Sequence, residues 1–172
     1  KVASALQITA KGQPVIYYGE ELGLTGKNAG DMSKGEFSEN RYDMDWSRLD
    51  NKEYISIYEH YKTLLNIRRD YSKIFAKGNR EKVAGSDTEQ YLVFKRSYCD
   101  ECIYTGINLK NNSKQVSIQT QYPSNTVVED LYSSKTYTVK DGGNLTFELP
   151  SADAGGTAIL VVKNNGKPEK PI

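Results

Sequence analysis

The sequence holds one histidine, two cysteines and no apolar run near the roughly 18 residues that a membrane helix needs, and each scarcity removes a class of function. His60, between Glu59 and Tyr61, has no partner at catalytic spacing and offers no basis for a Ser-His-Asp mechanism; it is expected on an exposed helix surface. Cys99 and Cys102 have the C-x-x-C spacing, but a tetrahedral metal site takes four ligands and no second pair stands elsewhere. The readings left for them are a cross-strand disulfide around a two-residue hairpin turn, or free thiols. Lys and Arg number 23 against 22 Asp and Glu, a net charge of +1 without a basic cluster, so an electrostatic footprint for nucleic acid is absent. No internal repeat is present. The opening, Lys1 to Thr9, lacks the apolar stretch of a secretory signal and is expected to be the end of a helix.

Tyrosine is what the chain has in quantity, with 13 residues. Flat amphipathic rings suit stacking on sugar faces while the hydroxyl stays hydrogen-bonded, although most of these rings are expected in the core or on strands.

The run Val15-Ile16-Tyr17-Tyr18 is β-branched and aromatic without alternation, preceded by Pro14 and followed by Gly19. It predicts a strand buried on both faces, ending in a glycine turn that carries Glu20 and Glu21. Tyr17 and Tyr18 are then expected to point in opposite directions, so that at most one meets a ligand. The short stretch ahead of Gly12 is too little to cover such a strand, and the start of the domain is expected to be missing.

Thr25 to Leu49 contains Gly26, Asn28, Gly30, Asp31 and Gly35 without a sustained period, and predicts a long loop of the kind that carries function. Asp50-Asn51-Lys52-Glu53 has capping-box spacing and predicts a helix start. Ile57, Tyr58, Tyr61, Leu64, Leu65 and Tyr71 draw its apolar stripe, with Arg68, Arg69 and Lys73 toward the end that favours cations, fraying near Tyr71 and closure at Gly78. Beyond Gly78 the period changes to two. Short strands are predicted at Lys82–Ala84, Tyr91–Tyr98, Ile103–Leu109, Gln115–Ile118, Val127–Tyr132, Thr136–Val139, Leu145–Leu149 and Ala158–Lys163, with no intervening helix, which suggests a sandwich. The Pro-rich end from Asn164 reads as a solvated linker.

Gly12-x-Pro14-x-Ile16-Tyr17-Tyr18-Gly19-x-Glu21 and Arg41-x-x-Met44-x-Trp46 resemble two motifs of the α-amylase family, glycoside hydrolase family 13. The longer forms, from Asn40 to Ser47 and from Tyr58 to Arg68, are most similar to bacterial pullulanases and amylopullulanases. The resemblance implies an α+β fragment: the last β/α unit of a (β/α)8 barrel over residues 1–78, an all-β Greek-key sandwich over 79–163, and a linker over 164–172. It further implies the C-terminal segment of a retaining α-glucan hydrolase, extracellular or on the cell surface, whose catalytic Asp and Glu stand on earlier strands, so that the fragment alone is inactive. The implied partner is an α-glucan such as starch, glycogen, pullulan or maltooligosaccharides. No cofactor is indicated; calcium belongs to the parent enzyme if anywhere. The alternative is a non-catalytic carbohydrate-binding or structural β-sandwich module.

Arg41, Glu20, Glu21 and Tyr18 are the substrate-binding candidates. Five fixed donors let Arg41 grip vicinal hydroxyls, and its other reading is an ion pair with Asp43 or Asp45. Glu20 and Glu21 either bond sugar hydroxyls or serve as structural acids held by backbone or Arg. Trp46 is expected to anchor the loop by packing, with sugar stacking as its other reading; Met44 is expected to pack, and Gly19 and Pro14 to shape the strand ends.

Overall fold

The structure is a computed structural model that describes residues 1–27, 32–35 and 37–163. Asn28, Gly30 and Asp31 of the long loop, and the linker expected at 164–172, lie outside these residues. The chain divides into two compact units: Lys1–Pro14 together with the chain from Thr63 onward, and Val15–Lys62.

Three helices occur among the described residues: α1 (Val2–Thr9), α2 (Lys52–Asp70) and α3 (Ser72–Lys77). α2 starts one residue later than expected. Trp46–Asp50 is a 3₁₀ turn, which uses Asp50, and Asn51 supplies the cap by accepting from the Glu53 amide at 2.8 Å. At Tyr71 the helix breaks and α3 restarts to Lys77. The buried face of α2 runs through His60, Tyr61, Leu64, Ile67 and Arg68, while Tyr58 and Leu65 are exposed. Both sets have helical spacing, so periodicity alone admits two overlapping stripes. His60 falls on the buried one and is 3% exposed, which corrects the expectation of a surface histidine.

Eight strands follow among the described residues: β1 (Asn79–Ser86), β2 (Tyr91–Tyr98), β3 (Glu101–Asn108), β4 (Lys114–Gln119), β5 (Val127–Asp130), β6 (Thr136–Thr138), β7 (Asn144–Leu149) and β8 (Thr157–Val162). They form a six-stranded sheet in the order β1-β2-β3-β8-β5-β6 and a separate β4-β7 pair. All pairings are antiparallel. Val93, Tyr104, Val128 and Leu160 of the larger sheet join Val116, Ile118, Leu145, Phe147 and Leu149 of the pair in one apolar core. On β4 and β7 the alternation is clean, and the outward Ser117 and Thr146 hydroxyls meet across the strands at 2.7 Å. Gly106 sits where β3 passes under β7; a Cβ there would stand 2.9 Å from Leu149 Cδ1.

β3 is buried along nearly its whole length, because its second face is covered by α1 and α3. Two arginines tie these helices down. Arg96, fully buried on β2, donates from Nη2 to the carbonyls of Phe75 at 2.8 Å and Gly78 at 2.7 Å, closing the C-terminal end of α3. Arg68 donates to the carbonyls of Ile8, Ala10 and Gly12, closing the C-terminal end of α1. Both act where orphan carbonyls gather at a helix end. Sequence periodicity marked Arg68 only as a favourable charge on its own helix.

Two expectations are corrected by the backbone. Val15 to Tyr18 joins no sheet among the described residues, and Val15 is 81% exposed. The Val15–Lys62 unit contains no described strand with which it can pair, so the run has no sheet to cover it and only Ile16 is half-buried. The C-x-x-C turn is also shifted. Ser97 faces Cys102 and Tyr98 faces Glu101, so Cys99 lies in the turn itself rather than opposite Cys102. The cysteines are consequently diagonal and both thiols are free.

Candidate functional site

Within the Val15–Lys62 unit, the segment after Pro14 and the long loop are stitched together at two places. Gly19 begins the first. Its φ of +87° is left-handed, and a Cβ there would approach Leu24 Cδ2 to 2.7 Å, so the position is fitted to glycine. The Gly19 carbonyl accepts from the Leu22 and Leu24 amides at 3.0 and 2.8 Å, folding Glu20–Leu22 into a 3₁₀ turn. Glu20 and Glu21 are half-buried on that turn.

Arg48 fixes this turn to the loop. Its Nη1 donates to the Leu22 carbonyl at 3.1 Å and to the Gly23 carbonyl, its Nε to Asp45 at 3.3 Å, and its guanidinium lies 4.2 Å from the Tyr54 ring centre. Asp45 also accepts from the Ser47 hydroxyl at 2.6 Å. The Ser47 hydroxyl first, helped by Arg48 and opposed by desolvation, holds the Asp45 carboxyl below the usual carboxylate range. Asp45, one of the two ion-pair partners expected for Arg41 beside Asp43, is therefore engaged by Ser47 and Arg48. Arg48 was not singled out from the sequence; the Asp45-x-x-Arg48 spacing was its one available signal.

Tyr17 and Tyr18 make the second connection. The Tyr17 hydroxyl donates to the Asn40 carbonyl at 3.1 Å and the Tyr18 hydroxyl to the Tyr42 carbonyl at 2.8 Å. Their rings lie 4.7 Å apart at a 43° tilt, so they lean together instead of pointing to opposite faces. The pleat expected of a strand is missing because Tyr18 already belongs to the turn. Burial first, then the neighbouring Tyr17, pushes the Tyr18 phenol above its ordinary value. Between the two accepting carbonyls stands Arg41, exposed, its guanidinium 4.9 Å from the Phe37 ring centre.

Of the remaining expected residues, Met44 and Pro14 are half-buried. Trp46 is 66% exposed on a 3₁₀ turn that buries none of its residues, which corrects the expectation of a packed anchor. Among the described residues no three His, Cys, Asp or Glu side chains come together as metal ligands, and no helix is long and apolar enough to cross a membrane. A separate apolar groove of 530 Å³ lies in the first unit, lined by Val2, Leu6, Tyr91, Leu92, Ile107 and Leu109 among others; none of the expected site residues lines it.

The fold is shared with solved α-amylases. The enzyme of Geobacillus thermoleovorans, determined with acarbose, superposes with a TM-score of 0.74 at 20% identity, over 96% of this chain and 33% of that one. In sequence, the chain is 33% identical to an amylopullulanase of Thermoanaerobacter thermohydrosulfuricus over 94% of its own length and 10% of the relative's. It is 32% identical to a cyclomaltodextrinase of Geobacillus thermopakistaniensis over 67% of its length and 18% of the relative's. No family model matches. These likenesses, together with the two motifs around Tyr18 and Arg41, establish that the chain belongs to the α-amylase family. It spans about a tenth to a fifth of the length of these curated relatives.

Proposed function

We propose that the chain is the C-terminal part of a retaining α-glucan hydrolase that acts outside the cell or at its surface. In this reading residues 1–78 are the last β/α unit of a (β/α)8 barrel and residues 79–163 a Greek-key sandwich that braces it. The observation that carries the reading is the pinned loop: the carbonyls on either side of Arg41 are held by Tyr17 and Tyr18, which lead into a turn bearing two half-buried carboxylates, in a chain one third identical to an amylopullulanase.

The exposed backbone segment Val15–Tyr18 supports it too, since an apolar run without sheet partners suits a strand completed by others. Arg41, Glu20, Glu21 and the Tyr18 ring would line the wall of the glucan cleft. Arg41 presents a planar fork of donors to vicinal hydroxyls, the carboxylates accept from hydroxyls, and the open ring face stacks on a pyranose. Hydrolysis with retention takes two carboxyl groups about 5 Å apart across the scissile bond, one as acid/base and one as nucleophile. Glu20 and Glu21 are not assigned these roles; the pair belongs to earlier strands of the barrel.

The test is release of reducing ends from soluble starch and pullulan. The isolated chain is expected to release none, and the longer enzyme is expected to lose its activity when residues 1–172 are deleted. Hydrolysis by the isolated chain, or full activity of the deleted enzyme, contradicts the proposal.

A further inference from the structure

We propose that Tyr17 and Tyr18 are positioning residues whose two hydroxyls clamp the loop on either side of Arg41 and so set where its guanidinium stands. The inference rests on the reading above that Arg41 meets the glucan. The geometry behind it is specific. Two adjacent tyrosines spend both hydroxyls on the carbonyls of Asn40 and Tyr42, at 3.1 and 2.8 Å, and leave the residue between them held from both sides. A third tether acts on Arg41 itself, whose amide donates to the Ser38 carbonyl at 3.2 Å. The rings brace one another at 4.7 Å, which fixes the hydroxyl positions, and the Phe37 ring receives the guanidinium at 4.9 Å.

Stability alone is a poor account of the hydroxyls. Both hydrogen bonds are exposed, so water replaces either partner at small net cost, and the rings are each about half exposed. Orientation is where the clamp matters. An arginine that must meet vicinal hydroxyls with a rigid fork loses its effect when its backbone wanders by about an ångström. The clamp holds the backbone and Phe37 holds the head group, so the side chain between them has few arrangements left. Binding through the ring faces of the tyrosines is compatible with this, because the hydroxyls face the loop.

The experiment uses the full chain and needs no substrate. The Nε–Hε resonance of Arg41 in a proton–nitrogen NMR spectrum, assigned by its loss in Arg41→Lys, carries a ring-current shift from Phe37, checked by its loss in Phe37→Leu. Tyr17→Phe and Tyr18→Phe remove one oxygen each and keep the rings. Each is expected to move the Arg41 resonance part of the way to its random-coil position, and the double variant to move it the whole way, with circular dichroism and melting temperature unchanged. Three results overturn the proposal: an Arg41 resonance already at its random-coil position in the parent chain, a double variant that leaves the resonance in place, or a double variant that unfolds. The last would show that the hydroxyls serve stability rather than placement. A failed clamp leaves the sugar contact of Arg41 standing, and a kcat/KM indifferent to Arg41 leaves the clamp standing, so the two readings fail separately.

Discussion

Arg68 Nη1 donates to the carbonyl of Ala10 at 2.9 Å, joining two positions 58 residues apart in the chain. The same guanidinium also reaches the Ile8 and Gly12 carbonyls, so one buried side chain closes α1 and fixes the approach to Pro14. Arg68→Met should therefore leave three carbonyls without a donor and lower stability by about 2–3 kcal/mol, measured by urea unfolding. Arg68→Lys should restore only part, since one ammonium does not reproduce the planar fork. Arg96 offers a contrast. It too caps a helix, and burial pushes the pKa of both arginines down, but Arg96 has its Nε and Nη1 buried without a protein partner among the described residues. Removing it also removes two unsatisfied donors, so Arg96→Met should cost less than Arg68→Met. The reverse order would contradict this account of the two caps.

Tyr104 and Tyr122 should titrate late. Tyr104 is pushed up to about 12, by burial first and then by Cys102, and Tyr122, whose hydroxyl lies 3.0 Å from Cys102 Sγ, is raised further by burial and that hydrogen bond. The neutral phenol is the form the fold prefers. Stability is thus complete below about pH 10, where the unfolded tyrosines ionise, and falls as the pH rises toward 12. Absorbance of tyrosinate should show a late step that coincides with unfolding. A single titration centred near pH 10 would contradict the buried placement.

Cys99 and Cys102 should differ in reactivity and should not pair. Cys99 is exposed in the turn, while Cys102 is half-buried against Tyr122, so a thiol reagent should label Cys99 at least about tenfold faster. Mild oxidation should leave the monomer mass unchanged. Loss of two hydrogens in the monomer would show that the hairpin register had slipped.

Gly19→Ala should strain the acidic turn, because the left-handed backbone and the approach to Leu24 both disfavour a Cβ. A cost of about 1–2 kcal/mol is expected from the backbone alone. Trp46, the chain's one tryptophan, sits in the same unit and reports it: quenching of its fluorescence should change in Gly19→Ala and stay unchanged in Gly142→Ala, where a Cβ meets open space in the other unit.

The strands were the most legible part of the sequence. Period-two patterning located all eight, and Tyr91–Tyr98 coincides with β2 to the residue, because hydrophobic alternation over turn-bounded segments is a local property. β1 runs from Asn79, well ahead of the expected Lys82, since edge pairing with β2 extends it through polar residues that carry no alternation. Helix faces were less legible. His60 is buried because the helix turns another of its two helically spaced stripes inward, which only tertiary packing decides. The work of Tyr17 and Arg48 in the Val15–Lys62 unit, and of Arg68 at the end of α1, was hidden. Each acts through backbone carbonyls distant in sequence, and carbonyls leave no trace in residue identity.

The central claim is that the clamped Arg41 forms part of a glucan cleft, and kcat/KM of the longer enzyme for maltooligosaccharides is the measurement that tests it most directly. Arg41→Ala is expected to lower kcat/KM by about ten- to a hundredfold, the loss of one or two charge-assisted hydrogen bonds to sugar hydroxyls. An unchanged kcat/KM in a correctly folded Arg41→Ala enzyme would contradict it.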